Sequence, residues 1–135
     1  MLIDLSPLHN AIDRLDFALK RHHREPADNE VRDSVIQRFE FTYDLCTKML
    51  RRVLETTSDD VEAIEQMTFP TLIRTGWERG LVGGGWPVWH QFRKMRNITS
   101  HTYDEIKAIE VASQVPEFLG EARSLVVKLS ERLVQ

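Results

Sequence analysis

Cysteine and long apolar runs are both nearly absent from this sequence. Cys46 is the only cysteine among 135 residues, which excludes an intrachain disulfide and a zinc site built on cysteines. No uninterrupted apolar segment approaches the roughly 20 residues that a membrane-spanning helix needs. The amino-terminal stretch MLIDLSPLHNAIDRLD has early acidic residues and lacks the basic start and apolar run of a secretion signal. We therefore expect no membrane association and a cytoplasmic location.

The sequence also lacks a large excess of charge of either sign. Lys and Arg total 18 against 21 Asp and Glu, which gives a net charge of -3. Because bulk electrostatic binding of nucleic acid needs an excess of basic residues, we expect no DNA partner, and any contact with RNA has to be local. Hydrophobic residues make up 41% of the chain and charged residues 29%, which is typical of a globular protein. Residues 1–135 are predicted to form a single domain around one hydrophobic core.

Strand alternation bounded by hairpin turns is missing, whereas apolar residues recur at helical spacing along most of the chain. The broadest apolar stripe follows position 29, which predicts a central helix packed on several sides. We predict an all-α, antiparallel up-and-down bundle of four to five main helices. The predicted helices cover residues 6–24, 29 to the polar TTSDD segment at 56–60, 68–80, 87–101, and two helices after residue 102; residues 59–67 remain ambiguous.

Local signals set the expected ends of these helices. Ser6 is predicted to cap the first helix, with Pro7 in its first turn, and Asn29 is predicted to cap the second. Thr102 or Asp104 can cap the helix that follows the RNITSHTYD stretch. Pro116 is then expected to break or kink the chain before a C-terminal helix.

Four polar side chains stand within eight residues in the stretch RKMRNITSHTYD: Arg96, Asn97, His101 and Tyr103. An arginine is always protonated and its planar fork matches phosphate oxygens, while a histidine can accept and donate protons near neutral pH. Together they suit cleavage of an RNA phosphodiester without a metal, in which a 2'-hydroxyl attacks its own phosphate and the guanidinium stabilises the developing charge. Asn97 could orient the phosphate or the imidazole through its amide.

Helix geometry tests this interpretation. Five steps of about 100° place Arg96 and His101 roughly 140° apart on a regular helix. They can converge if the helix frays before His101, if the long arginine curls round, or if two copies of the chain face each other across a twofold axis. The alternative is structural: these residues form an ordinary helix C-terminus, and Arg96 pairs with Glu40 or Asp44.

Other features of the sequence have both a functional and a structural interpretation. Trp77, Trp86 and Trp89 could stack on an RNA base, although core packing is the expectation for most of them, with Trp86 partly exposed beside the glycine turn. The KRHHR cluster at residues 20–24 is expected to be a solvated helix terminus. No HExxH or similar spacing is present, and LVGGGWP has no Lys-Ser/Thr pair after it, so neither a metal nor a cofactor is predicted.

Three segments resemble one known family. RDSVIQRFEFTYDL at residues 32–45, WERGLV at 77–82 and RNITSHTYDE at 96–105 are together similar to the HEPN superfamily. The likeness is to its branch of nucleotidyltransferase substrate-binding proteins, and it covers most of the chain in order.

The resemblance implies a homodimeric helical bundle that is the toxin of a toxin-antitoxin pair, with a minimal nucleotidyltransferase as antitoxin. By the family's R-x4-H-x-Y motif, Arg96 and His101 would serve metal-independent RNA cleavage, with Asn97 beside the arginine. Tyr103 would receive AMP from the partner, which silences the toxin. Arg93 and Lys94 complete a local basic patch for RNA or nucleotide. The alternative is a non-catalytic subunit that presents a nucleotide or another substrate to the nucleotidyltransferase.

Overall fold

The computed structural model describes residues 3–134, and these form helices and connecting turns with no strand. The predicted all-α antiparallel bundle is therefore confirmed. The elements, in chain order, are α1 (Ser6–Arg24), α2 (Asn29–Thr56), α3 (Val61–Glu65), α4 (Phe69–Glu78), α5 (Gly85–Ile98), a 3-10 turn (Thr99–His101) and α6 (Glu105–Val134).

The central position predicted for α2 is also confirmed, since it packs against both α1 and α6. Phe39 of α2 meets Phe118 of α6 edge to face, with ring centroids 4.8 Å apart. Phe118 in turn meets Phe92 of α5 at 5.2 Å, and Trp89 lies 5.2 Å from Phe92. These rings are almost fully buried and join three helices through one aromatic cluster. Trp89 is thus a core residue, as the sequence indicated.

The helix caps differ from the predicted ones. α1 begins at Ser6, so Leu5 occupies the cap position without a side-chain cap of its own, and the Asp4 carboxylate accepts from the Ser6 backbone N–H at 2.9 Å. Asp28, not Asn29, caps α2, because its carboxylate accepts hydrogen bonds from the backbone of Glu30 and Val31. Both shifts are of one residue, which spacing alone rarely resolves.

A break or a kink was predicted at Pro116, and the break is wrong, because α6 continues through Pro116 as one helix. The proline is exposed, so its ring projects from the solvent side while Val115 and Phe118 remain buried on the core side. The missing N–H costs one backbone hydrogen bond, and the continuous apolar face on both sides of the proline outweighs that loss.

Residues 59–67, whose secondary structure the sequence left ambiguous, contain the short helix α3. A side chain of α2 anchors this helix through hydrogen bonds. The Arg51 guanidinium donates to the backbone oxygens of Ile64 at 2.7 Å and of Met67 at 3.2 Å, satisfying carbonyls at the end of α3. Cys46 is buried, as predicted. No helix within residues 3–134 combines the length and apolar character that a bilayer crossing requires.

Candidate functional site

The site lies where α5 gives way to α6. The Thr99 hydroxyl donates to the Arg96 carbonyl at 2.7 Å, and the Thr102 hydroxyl donates to the Thr99 carbonyl at 3.1 Å. Such side-chain bonds compete with the helical ladder, and the chain tightens into a 3-10 turn at Thr99–His101. Asp104 then accepts from the backbone N–H of Ile106 at 3.0 Å, which starts α6 and confirms one of the two predicted caps.

The guanidinium of Arg96 is held by the neighbouring helix α2. Its Nε and Nη2 donate to the two carboxylate oxygens of Asp44, each at 3.1 Å, and Nη1 donates to the Thr99 hydroxyl at 3.1 Å. A Glu40 oxygen lies 3.7 Å from Nη1. The structural pairing foreseen for Arg96 is therefore present with both carboxylates, and it fixes the position of the cation.

This pairing with Asp44 and Glu40 stabilises the charged form of Arg96. The hydrogen bond to Asp44 is the main reason that the pKa of Arg96 is raised above its ordinary value, with Coulomb attraction from Asp44 and Glu40 in support. The arginine thus stays charged. Three of its N–H groups donate to Asp44 and Thr99, and Glu40 lies near Nη1 without a hydrogen bond to it.

His101 and Tyr103 stand at the same corner and face solvent. Tyr103 is 87% exposed, and its ring lies 6.1 Å from the exposed imidazole of His101 at an angle of 75°. Neither side chain makes a hydrogen bond with residues 3–134. Both side chains are therefore accessible from solvent.

The remaining predicted residues lie along the last turns of α5. Asn97 and Lys94 are exposed, and Asn97 shares the helix end with Arg96. Arg93 places its guanidinium 5.2 Å from the centroid of the Phe69 ring, a cation-π contact that draws it towards α4. The basic patch therefore extends along α5 and does not converge on one point.

The corner brings Arg96, His101 and Tyr103 to one end of α5, and the helix does end before His101, which is one of the routes to convergence considered from the sequence. The imidazole projects from the 3-10 turn, while the guanidinium is turned towards α2. Thr99 was missed by sequence reasoning, although its spacing of three from Arg96 was a usable signal. Among residues 3–134 no group of three or more His, Cys, Asp or Glu side chains could hold a metal ion.

Comparisons with known proteins place the chain in a family. The model of the family "Nucleotidyltransferase substrate binding protein like" matches residues 3–131. A protein named "Probable ribonuclease HepT" from Haemophilus influenzae is 40% identical over 97 residues, which are 72% of this chain and 66% of the relative, just under two thirds of its length.

A solved structure from Haemophilus influenzae, described as the fold of a substrate binding domain of a nucleotidyltransferase, has a TM-score of 0.89 and 31% identity. The match covers 94% of this chain and 99% of the solved one. The family model and the fold agree with the resemblance found in the RNITSHTYDE stretch and its companions. The chain belongs to the nucleotidyltransferase substrate binding protein like family.

Proposed function

We propose that this protein is a metal-independent endoribonuclease, the toxin of a pair whose antitoxin is a minimal nucleotidyltransferase. The observation that carries the proposal is an exposed imidazole, His101, at the same helix end as an anchored guanidinium, Arg96. The ribonuclease named among its relatives supports it.

In the proposed reaction His101 takes the proton from an RNA 2'-hydroxyl. The freed oxygen attacks the adjacent phosphorus, the bond to the 5'-oxygen breaks, and a cyclic phosphate forms. Negative charge builds on the phosphate oxygens during the attack, and the guanidinium of Arg96 stabilises it. Asn97 lies on the helix turn beside the arginine and offers an amide N–H to a phosphate oxygen.

A second imidazole is needed to protonate the leaving oxygen, since one histidine cannot be base and acid at the same moment. A homodimer with His101 of both copies at one cleft supplies it. Sedimentation at low concentration should therefore give twice the chain mass of 15.8 kDa.

Regulation is proposed to act on Tyr103. Its hydroxyl oxygen attacks the α-phosphate of ATP in the partner's active site, pyrophosphate leaves, and the phenolic proton passes to a base or to water. The exposure of Tyr103 gives the partner access, and the added phosphate brings negative charge to the place where RNA would bind.

Growth of cells that express the chain alone tests the toxin proposal. Wild type should arrest growth, and His101→Ala should not, at matched expression and with the same folded circular dichroism. His9→Ala, at an exposed histidine on α1, is the control and should remain toxic. Equal growth of wild type and His101→Ala would contradict the proposal.

Intact mass tests the regulation. Incubation with the nucleotidyltransferase, ATP and magnesium should add one AMP to wild type and none to Tyr103→Phe. An equal gain by Tyr103→Phe would show that the target is another residue.

A second candidate function rests on the pairing of Arg96 with Glu40 and Asp44. A guanidinium already neutralised by two carboxylates suits a non-catalytic subunit that presents a nucleotide or another substrate to the nucleotidyltransferase. Purified protein that leaves RNA intact yet stimulates the partner would favour it.

A further inference from the structure

A cleft between α4 and the start of α5 is lined by two of the three tryptophans. Its volume is about 410 Å³, a size in the range of small-ligand pockets. Trp77 is 57% exposed although a tryptophan usually buries most of its surface. The lining residues are Arg74, Trp77, Glu78, Gly84, Gly85, Trp86 and Pro87.

The exposed indole of Trp77 lies beside the turn at Gly85. Gly85 has a φ of +68°, a left-handed backbone that favours glycine, and a Cβ built there would lie 3.4 Å from the Trp77 ring, at ordinary van der Waals distance. The turn therefore packs beside the indole while Trp77 remains largely open to solvent. A tryptophan has only two side-chain torsions, so a ligand that stacks on it costs little conformational entropy.

The chemistry of the lining suits an unpaired nucleobase. Trp86 forms the second aromatic wall, and the Arg74 guanidinium lies 5.7 Å from its ring centroid. Aromatic faces bind bases by stacking, and nearby cations meet the adjoining phosphates. The carboxylate of Glu78 repels a phosphate but accepts a hydrogen bond from the exocyclic amine of a base. The cleft thus favours the base over the phosphate.

One face of α5 links this cleft to the corner that carries His101. Trp86, His90, Arg93 and Asn97 follow each other by four, three and four residues, which keeps them within about 60° of one another on the helix. His90 stacks beside Trp86 with centroids 4.9 Å apart. At about 1.5 Å per residue, Trp86 lies roughly 15 Å from Arg96 along the axis, a distance that a few extended nucleotides cover.

The charge along this face is positive. Neither Arg74 nor Arg93 forms an ion pair with a carboxylate in the stretch 3–134; both guanidinium groups lie over aromatic rings. Their charges remain available for a phosphate backbone, in contrast to the neutralised Arg96.

We propose that the Trp77–Trp86 cleft is a base-stacking subsite for single-stranded RNA, which holds a nucleotide several positions away from the scissile phosphate. This inference rests on the proposed ribonuclease function and adds the way in which the substrate is held. It predicts that long unpaired RNA binds more tightly than short fragments, and that the difference depends on Trp77.

The test uses the full chain with His101→Ala, which prevents cleavage during the measurement, and 5'-labelled oligoadenylates of about 12 and about 2 nucleotides, the longer within the span of known single-strand sites. Fluorescence anisotropy should show that adding Trp77→Ala weakens binding of the longer RNA by about tenfold to a hundredfold. Binding of the dinucleotide, which is too short to reach from the corner to the cleft, should change less than about twofold. Quenching of tryptophan emission by the longer RNA should be smaller in the Trp77→Ala protein, where Trp86 is the one tryptophan left in the cleft.

Phe17→Ala is the matched control, because Phe17 is an aromatic side chain 61% exposed on α1 that does not line the cleft. Equal binding of the longer RNA by Trp77→Ala and Phe17→Ala would overturn the inference and leave Trp77 as a surface for protein contacts. Cleavage by the wild-type chain is scored separately. Absent cleavage and absent binding would refute the proposed function, whereas cleavage that is indifferent to Trp77→Ala would refute this subsite alone.

Discussion

Arg96 is the residue on which the proposed chemistry depends, and its environment is unusual for a phosphate ligand. The side chain is 31% exposed and is gripped side-on by Asp44, with Glu40 close by. Two carboxylates facing one guanidinium leave a local negative charge, so RNA affinity must be supplied by cations outside this cluster. Asp44 contributes by fixing the guanidinium, since a side-on pair with two parallel hydrogen bonds specifies orientation as well as attraction.

Asp44→Asn should lower the free energy of unfolding by about 1 kcal/mol, because the amide cannot accept both hydrogen bonds and the charge attraction is lost. Urea denaturation measures this loss. Asp33→Asn removes an exposed carboxylate from the same helix and should change stability by less than about 0.5 kcal/mol. Equal stability of the two variants would mean that Asp44 does not anchor the arginine.

The buried phenol of Tyr43 should make the stability of the fold decrease at alkaline pH. Burial raises its pKa to about 12 from the ordinary value near 10. Because the folded state disfavours the phenolate, this contribution is fully present below pH 10 and is lost as the pH rises from about 10 to 12. Unfolding free energies measured across that window should decline by up to about 2 kcal/mol more in wild type than in Tyr43→Phe. Parallel curves for the two proteins would contradict the burial of a neutral phenol.

At the scale of elements, α6 shows a helix that tolerates a proline in its interior. The proline is on the exposed side, and buried residues follow it at helical spacing on the other side. The break was predicted from the proline alone. The apolar spacing on both sides of it, which indicates one continuous helix, was given too little weight. Packing against α2 decides the outcome, which a local signal cannot include.

Pro116→Ala should raise the free energy of unfolding by roughly 1 to 3 kcal/mol, because it restores a backbone donor and removes the clash with the preceding turn. Thermal and urea unfolding both measure the gain. Ser113→Ala, an exposed change one turn earlier in the same helix, controls for helix propensity and should gain less than about 0.5 kcal/mol. A Pro116→Ala protein no more stable than this control would indicate that α6 has adapted fully to the proline.

The elements themselves were largely predictable, because long helices repeat one apolar spacing many times. The helix caps were harder to predict. Asp28 and Asn29 are neighbours that can both cap a helix, and only the backbone conformation shows that Asp28 is the cap. Arg96 and Asp44 are 52 residues apart in sequence. Their pairing could be predicted as a possibility, but the side-on arrangement of the two hydrogen bonds could not. The exposure of Trp77 was not predicted either, because its place in the apolar spacing of α4 indicated a core residue.

At the scale of the whole molecule, the distribution of charge matters more than its sum. A net charge of -3 does not favour general binding of nucleic acid, so the proposed binding of RNA relies on a basic and aromatic surface, the face of α5 that carries Trp86, His90, Arg93 and Asn97. The family and the fold agree with a role beside a nucleotidyltransferase, and the central claim at this scale is that the corner at His101 cleaves RNA.

Cleavage of single-stranded RNA by the purified chain in excess EDTA tests that claim most directly. Wild type should cleave without a divalent metal, and His101→Ala and Arg96→Ala should each lower the rate at least about a hundredfold while retaining the helical fold. Wild-type protein that leaves RNA intact, cleavage that needs added metal, or a His101→Ala variant that cleaves at the wild-type rate would contradict the proposed ribonuclease activity.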